Sequence, residues 1–297
     1  MQSLQIFLFG GLRVQIGTRS LSSKMGPGAG ALLAYLAAHR DRVHRREHVA
    51  SVFWPDLDSQ NARRCLNTTW WRLRRLLEPP GTRRGTYLAA TTQCEIGLAR
   101  TDHVWIDVDV FETGARAAVA KEGAAGAAQM DRLASVVELY TGDAFEGLYA
   151  DWAVQERERL RFVFLECLRC QMQHLASQGD YVSAISCGAR ILKLDPLQES
   201  VHRALIRLHL ERGNRGLAAK QFEMCRRLLR TELGIQPEPQ TWELWRSFGG
   251  RTSGIAPADV SQLRCTLCEI RRLLEIAERQ LEIVMVAHAK TPAARTG

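Results

Sequence analysis

Residues 59–78 read SQNARRCLNTTWWRLRRLLE. At 3.6 residues per turn, Ala62, Leu66, Thr69 with Trp70, Leu73 and Leu77 fall on one face. Arg64, Asn67, Thr68, Trp71, Arg72 and Arg75 fall on the other. Nothing inside the stretch breaks a helix, and Ser59 is the expected N-cap. The pattern predicts an amphipathic helix whose polar face carries guanidinium, amide and hydroxyl groups and almost no acid. Such groups read base edges and hold phosphates in a DNA major groove. A solvated basic face on an ordinary helix has the same pattern in isolation, so the surroundings decide.

Those surroundings are basic. The chain has 297 residues, 46% of them hydrophobic, enough for two domains with cores of their own. Its net charge of +8 is unevenly spread. Residues 1–100 hold 15 Lys and Arg against 6 Asp and Glu, an excess of nine, whereas the rest hold 25 against 26. A basic first third joined to a near-neutral remainder is the footprint of a nucleic-acid reader attached to a domain with another task. No run of about 18 apolar residues predicts a membrane span, and the N-terminus reads as a short alternating strand instead of a signal peptide. The expected location is therefore cytoplasmic and nucleoid-associated. Cys167/Cys170 and Cys265/Cys268 are C-x-x-C pairs, a spacing used by zinc and redox dithiols. Both lie inside long helical patterns with no turn to gather four ligands. Reduced thiols, no metal and no cofactor are expected.

Around the arginine helix the order of elements predicts a winged helix-turn-helix over residues 1–103. Strands are expected at Leu4–Phe9, Gly11–Ile16 and Arg19–Ser22, a helix at Ala29–His39 behind Gly26-Pro27-Gly28, and a helix at Arg45–Trp54 stopped by Pro55-Asp56. After the arginine helix come Pro79-Pro80-Gly81, a basic loop with Arg83 and Arg84, and strands Thr86–Ala90 and Glu95–Ala99. In that arrangement the third helix enters the major groove and the hairpin reaches the neighbouring backbone. Trp54, Leu57, Leu66, Trp70 and Leu73 are the expected core between helices.

Residues 104–248 read as all-α. Trp105–Phe111 is expected as a linker or the start of a first helix, with a Gly/Ala-rich loop at Lys121–Ala128. Gly179-Asp180-Tyr181 recurs as Gly213-Asn214-Arg215, and Ala184 as Ala218, both 34 residues on, with Phe222 completing A-x-x-x-F. That period, with Gly at the turn and Ala at the helix contact, is the tetratricopeptide signature. An earlier helix pair is expected at about 130–160. In residues 249–297, a glycine-rich joint precedes a heptad pattern: Leu263, Leu267, Ile270, Leu274, Ala277, Leu281 and Val284 alternate spacings of four and three. Such a seam predicts a dimerising coiled coil, against an extra helix folded back on the repeats. The expected fold class is thus mainly α, with an α+β winged helix, a tetratricopeptide-like domain and a heptad helix in sequence.

Leu139–Arg161, LYTGDAFEGLYADWAVQERERLR, closely resembles the start of the bacterial transcriptional activator domain. Preceded by RLRRLLE (72–78) and followed by ELGIQPEP (232–239), it resembles the Streptomyces antibiotic regulatory protein family over roughly residues 4–248. Phe53-Trp54-Pro55-Asp56, Ala62-Arg63, Trp152-Ala153 and Glu156-Arg157 carry the resemblance. It implies an OmpR-type winged helix that binds direct repeats in promoters and activates transcription with RNA polymerase. Neither a preceding receiver domain nor the ATPase module of larger relatives is expected, so aspartate phosphorylation is not the expected input. The sequence departs from the family at Gly28-Ala29-Gly30, where relatives carry a basic residue, and at Trp70-Trp71. The base preference of relatives is therefore not transferable.

The candidate base-reading residues are Arg64, Asn67, Thr68 and Trp71, because arginine suits guanine, asparagine suits adenine and an apolar ring suits a thymine methyl. The candidate phosphate ligands are Arg45, Arg46, Arg63, Arg72, Arg75, Arg83 and Arg84. Arg74 and Arg75 could instead offset the helix dipole, and Arg63 could pair with Asp56 or Asp58. No constellation such as G-x-S-x-G or H-E-x-x-H predicts an enzyme. The expected partners are double-stranded promoter DNA, RNA polymerase holoenzyme, a second copy of the chain, and a protein or small-molecule ligand of the repeats. The competing readings are a repressor on the same scaffold and a tetratricopeptide adaptor that no longer binds DNA.

Overall fold

The computed structural model describes residues 2–90, 94–119 and 127–248. Strand β1 (Leu4–Phe7) pairs antiparallel with β2 (Arg13–Ile16), from Leu4 opposite Ile16 to Phe7 opposite Arg13. A two-residue strand, β3 (Arg19–Ser20), adds to the far side of β2. Alternation puts Leu4, Ile6 and Val14 on the buried face. Helix α1 (Pro27–Ala38) starts earlier than its apolar run, with Pro27 in the first turn after Gly26, a position where its missing N–H is no loss. Its residues Leu32 to Ala37 are all buried, so it is the central helix of this region.

Strand β4 (His44–Arg45) leads into α2 (Arg46–Phe53), a turn, and α3 (Ser59–Leu77). Strands β5 (Leu88–Ala89) and β6 (Glu95–Leu98) form the wing, in the sheet order β4-β6-β5. This is the expected winged helix-turn-helix, with two corrections. Asp58 caps α3, not Ser59: its carboxylate accepts the N–H groups of Gln60 (3.0 Å) and Asn61 (2.9 Å), and its charge suits a helix N-terminus. Those hydrogen bonds, Asn61's first, lower the pKa of the exposed Asp58. Leu57 is 43% exposed, because it sits in the turn between α2 and α3, outside the core.

Residues 105–111, expected as a linker or a helix start, divide between two elements. Val104–Ile106 forms β7, parallel to β1 with Leu4 opposite Val104 and Ile6 opposite Ile106, and Asp107 opens α4 (Asp107–Val119). The four-stranded order is β3-β2-β1-β7. A three-residue strand completed by a partner about a hundred positions upstream leaves no local periodicity to read.

Beyond it α5 (Ala127–Leu139), α6 (Asp151–Ser177), α7 (Tyr181–Leu194), α8 (Glu199–Glu211), α9 (Arg215–Leu228), a π-helical turn at Leu229–Leu233 and α10 (Pro239–Ser247) follow. The Gly/Ala-rich stretch gives way to helix at Ala127, and its residues 121–126 lie outside the described residues. A helix pair does precede α6, but it is α4 with α5, not 130–160; residues 140–150 are non-helical. Helices α4 and α5 approach so closely that a Cβ on Gly114 would lie 2.2 Å from Val136 Cγ2. The described chain divides into two compact units, one ending at Leu208 and one beginning at His209. In the second, the Phe222 ring stacks on Trp245 at 4.3 Å.

The 34-residue repeat is visible in the backbone. Gly179 and Gly213 both take left-handed φ, at 79° and 72°. The N–H of Gly179 donates to Ala176 O and that of Asp180 to Leu175 O; Gly213 donates to Leu210 O and Asn214 to His209 O. Each pair closes a helix end in the manner of a Schellman cap, which favours glycine. The heptad residues Leu263, Leu267, Ile270, Leu274, Ala277, Leu281 and Val284 lie outside the described residues.

Candidate nucleic-acid interface

Helix α3 buries Ala62, Leu66, Trp70, Leu73 and Leu77, the apolar face read from the sequence. Arg63, Arg64, Asn67, Thr68, Trp71, Arg72 and Arg75 are exposed on the same helix. Trp71 is 57% exposed, a large ring presented to solvent, with the Arg75 guanidinium 5.3 Å from its centroid. Thr68 donates its hydroxyl hydrogen to Arg64 O at 3.0 Å, leaving its oxygen as an acceptor and its methyl free for apolar contact. Flanking the helix, Arg45 at the α2 N-terminus and Arg83 and Arg84 before the wing are exposed as well.

Three of the arginines differ from their sequence reading. Arg63 pairs with Glu47 of α2, and neither Asp56 nor Asp58 is its partner in that ion pair. Arg46, expected on phosphate, is half-buried. Its Nη1 donates to Asn67 Oδ1 at 2.9 Å, and its guanidinium lies 5.7 Å from the Trp70 ring. Burial, then the Arg74 charge, lowers its pKa. Arg74 lies against the same ring at 5.1 Å, with its Nε 3.7 Å from Glu78 Oε2. Trp70 is thus flanked by two guanidinium groups, which fix the packing of α2 against α3.

Glu78 has a role that only its i,i+4 spacing from Arg74 hints at. It is buried, and Oε1 accepts the N–H groups of Gly85 (3.1 Å), Tyr87 (3.0 Å) and Leu88 (3.0 Å). One carboxylate therefore fixes where the wing begins relative to the end of α3.

A second polar system joins the winged helix to the helices after it. Asp107 is 2% exposed and accepts the N–H of Leu8 (2.8 Å to Oδ2), Phe9 (3.0 Å) and Val108 (2.8 Å). Burial pushes its carboxyl up to about 6, against the pull of those three donors. Arg157 of α6 donates to Ala144 O (2.9 Å), Phe145 O (2.8 Å) and Leu148 O (2.8 Å). It thereby holds a segment in which Phe145, buried and not glycine, has a φ of 56°. That segment docks on the first sheet through Phe145 N to Leu8 O (3.0 Å) and Gly10 N to Asp143 O (3.1 Å). Trp152 lies 5.2 Å from Tyr35 and 5.5 Å from Phe145, edge to face in both cases. Beside it, burial lowers the pKa values of His39 and His44, and His44 Nε2 donates to His39 O at 3.1 Å. The Trp152 and Arg157 motifs noted in the sequence therefore seat the segment 140–150 and the start of α6 against the winged helix.

Cys167 is buried and Cys170 half-buried along α6, and burial raises the Cys167 thiol to about 12, where it is an unreactive thiol. Among the described residues no group of three or more His, Cys, Asp or Glu side chains is placed to hold a metal ion, and no helix is long and apolar enough to cross a membrane.

Residues 106–247 match the model of the bacterial transcriptional activator domain. The regulatory protein AfsR of Streptomyces coelicolor is 25% identical over 225 residues, which are 73% of this chain and 21% of that protein. AfsR of Streptomyces griseus is 25% identical over 243 residues, 82% of this chain and 24% of that protein. The chain thus spans about a fifth to a quarter of the length of these curated relatives. Among solved structures, Mycobacterium tuberculosis EmbR, in complex with a low-affinity phosphopeptide, superposes with a TM-score of 0.65 at 18% identity. That match covers 91% of this chain and 72% of the other. Residues 106–247 thus carry a bacterial transcriptional activator domain, and the described chain shares its fold with EmbR.

Proposed function

We propose that this chain is a transcriptional regulator of the Streptomyces antibiotic regulatory protein type, an activator that binds direct repeats in double-stranded promoter DNA through the exposed face of α3. In this reading Arg64, Asn67, Thr68 and Trp71 face base edges. Arg45, Arg63, Arg72, Arg75, Arg83 and Arg84 hold phosphates. The observation that carries it is the division of α3 into an apolar face locked on Trp70 and an exposed face whose only charged side chains are arginines. The wing, fixed by Glu78, brings Arg83 and Arg84 to the end of the same helix. A polymerase-contacting role falls to the helical repeats, where Lys220, Arg227 and Arg230, beside the Arg226–Glu223 ion pair, border an open depression of about 710 Å³ whose excess of positive charge suits an acidic partner surface. Pairing of two copies through residues 263–284 would match a pair of half-sites.

The test is DNA binding by the full chain with Arg64, Arg72 and Arg75 all changed to Ala. Specific binding should be lost and the salt slope reduced by about two to three units, with the thermal midpoint unchanged. A triple variant that binds as the natural chain does would leave the adaptor reading standing. Footprinting combined with transcript levels in a deletion strain separates activator from repressor: the genes beside bound repeats fall in the first case and rise in the second.

A further inference from the structure

We infer that the hollow between the first sheet and the loop ahead of the wing binds a small organic acid with an apolar body, and that this acid competes with DNA for Arg83. The cavity holds about 290 Å³, at the lower end of the range that small-molecule sites occupy. The end of α3 and the loop after it form one wall, and Gln2, Ile16 and Arg19 form the other. Both walls belong to the same compact unit.

The lining selects the ligand. Ile16, Leu76, Leu77 and Pro79 supply apolar surface, and Leu77 is fully buried. Arg19 and Arg83 border the same space, both exposed, and neither guanidinium has a hydrogen bond or ion pair among the described residues. No described acid lines the cavity. Glu78, adjacent in sequence, has its Oε1 engaged by the N–H groups of Gly85, Tyr87 and Leu88. Three other depressions do contain acid: Glu223 on α9, Asp109 with Glu112 beside Arg40, and Asp109 with Asp131 between α4 and α5. Two unpaired cations beside apolar surface suit a carboxylate carried on a hydrocarbon or aromatic body. A DNA phosphodiester has no such body; it would satisfy Arg83 and leave the apolar surface uncovered.

The walls are already in place. Thr86 donates its hydroxyl hydrogen to Arg83 O at 2.6 Å, and the Tyr87 hydroxyl donates to Gln2 O at 2.7 Å, which joins one wall to the other. Gly81 and Gly85 take left-handed φ of 97° and 85°, which lets the loop turn twice within five residues. A ligand would therefore immobilise little of the chain on binding. A guanidinium engaged by the ligand's carboxylate is lost to phosphate, so acid and DNA weaken each other's binding by the same factor. Acid binding stands apart from the DNA reading; only this competition rests on it.

The experiment is calorimetric titration of the full chain with straight-chain carboxylates from butanoate to decanoate. Octanol and inorganic phosphate serve as probes that lack the charge and the body, respectively. One carboxylate per chain should bind, tightening with chain length to a Kd of about 1 mM or below. Octanol and inorganic phosphate should each bind about tenfold more weakly than octanoate. Arg19→Met should weaken octanoate by about three- to tenfold and leave DNA affinity in its absence unchanged. Arg19→Met combined with Arg83→Met should abolish octanoate binding with the thermal midpoint unchanged. Octanoate should lower the DNA affinity of the natural chain and not that of Arg83→Met. Failure of every carboxylate to bind, octanol binding as well as octanoate, or octanoate binding that survives the double change overturns the inference. Octanoate bound as expected with DNA affinity untouched overturns the competition. A natural chain that binds no DNA at all overturns the DNA reading, while the titrations still decide the acid site.

Discussion

The outer face of α3 and the seam beneath the winged helix use the same residue type for opposite ends. On α3, Arg64 and Arg72 stand exposed, and Arg75 covers a ring that is itself largely in water. In the seam, Arg157 spends its donors on three backbone carbonyls, and Arg40 at the end of α1 bonds Asp109 of α4 at 2.8 Å. Arg46 and Arg74 lie between these extremes, half-buried on Trp70. A guanidinium whose donors are already satisfied is part of the scaffold; one with donors facing water is available to a ligand. Counting arginines in a basic first third merges the two.

The contrast breaks most visibly at Arg157. Arg157→Ala leaves three carbonyls of a strained segment without their donor and should lower unfolding free energy by about 3–5 kcal/mol, read by denaturant titration. The DNA salt slope of the fraction still folded should not change. Arg157 would belong with the ligand-facing arginines if stability held and the slope fell.

Asp107 gives the next largest effect and a pH signature. Its folded carboxyl titrates near 6, above the ordinary value of 3.8, so its contribution to stability is fully present below about pH 4 and is lost as pH rises through 6. Over that window the natural chain should lose up to about 3 kcal/mol relative to Asp107→Asn, which does not titrate. Parallel stability curves for the two proteins from pH 4 to 6.5 would refute this account of the buried carboxyl.

The smallest effect sharpens the boundary between the two classes. Glu47→Gln frees Arg63 from an exposed pair, which should change stability by less than about 0.5 kcal/mol. DNA affinity at low salt should rise a few-fold, because a carboxylate leaves the face and a cation is released. An unchanged affinity would place Arg63 outside the DNA footprint.

How much of this was legible depends on the range of the interaction. The buried face of α3 follows from 3.6-residue spacing, and the paired caps at Gly179 and Gly213 follow from the 34-residue period, because both are written in neighbouring residues. Trp71 was recognisable as exposed by the same arithmetic. Strand β7 was not, since its partner lies in β1, and Glu78, Asp107 and Arg157 serve backbone groups that no local pattern announces. Asn67 was legible as a surface amide, but which of its two ends faces outward depends on Arg46, twenty-one positions away.

The parallel pairing of β7 with β1 also bears on how the chain can be made and rearranged. The first strand emerges from the ribosome with one edge open, and the strand that covers it arrives about a hundred residues later. The amides of Leu8 and Phe9 wait equally long for Asp107. The winged helix is therefore completed during synthesis only after the start of the next domain has appeared. A gene fusion cut at residue 103 would export a winged helix with an unsealed sheet, so a transplantable winged helix must carry its neighbour's first strand and first aspartate with it.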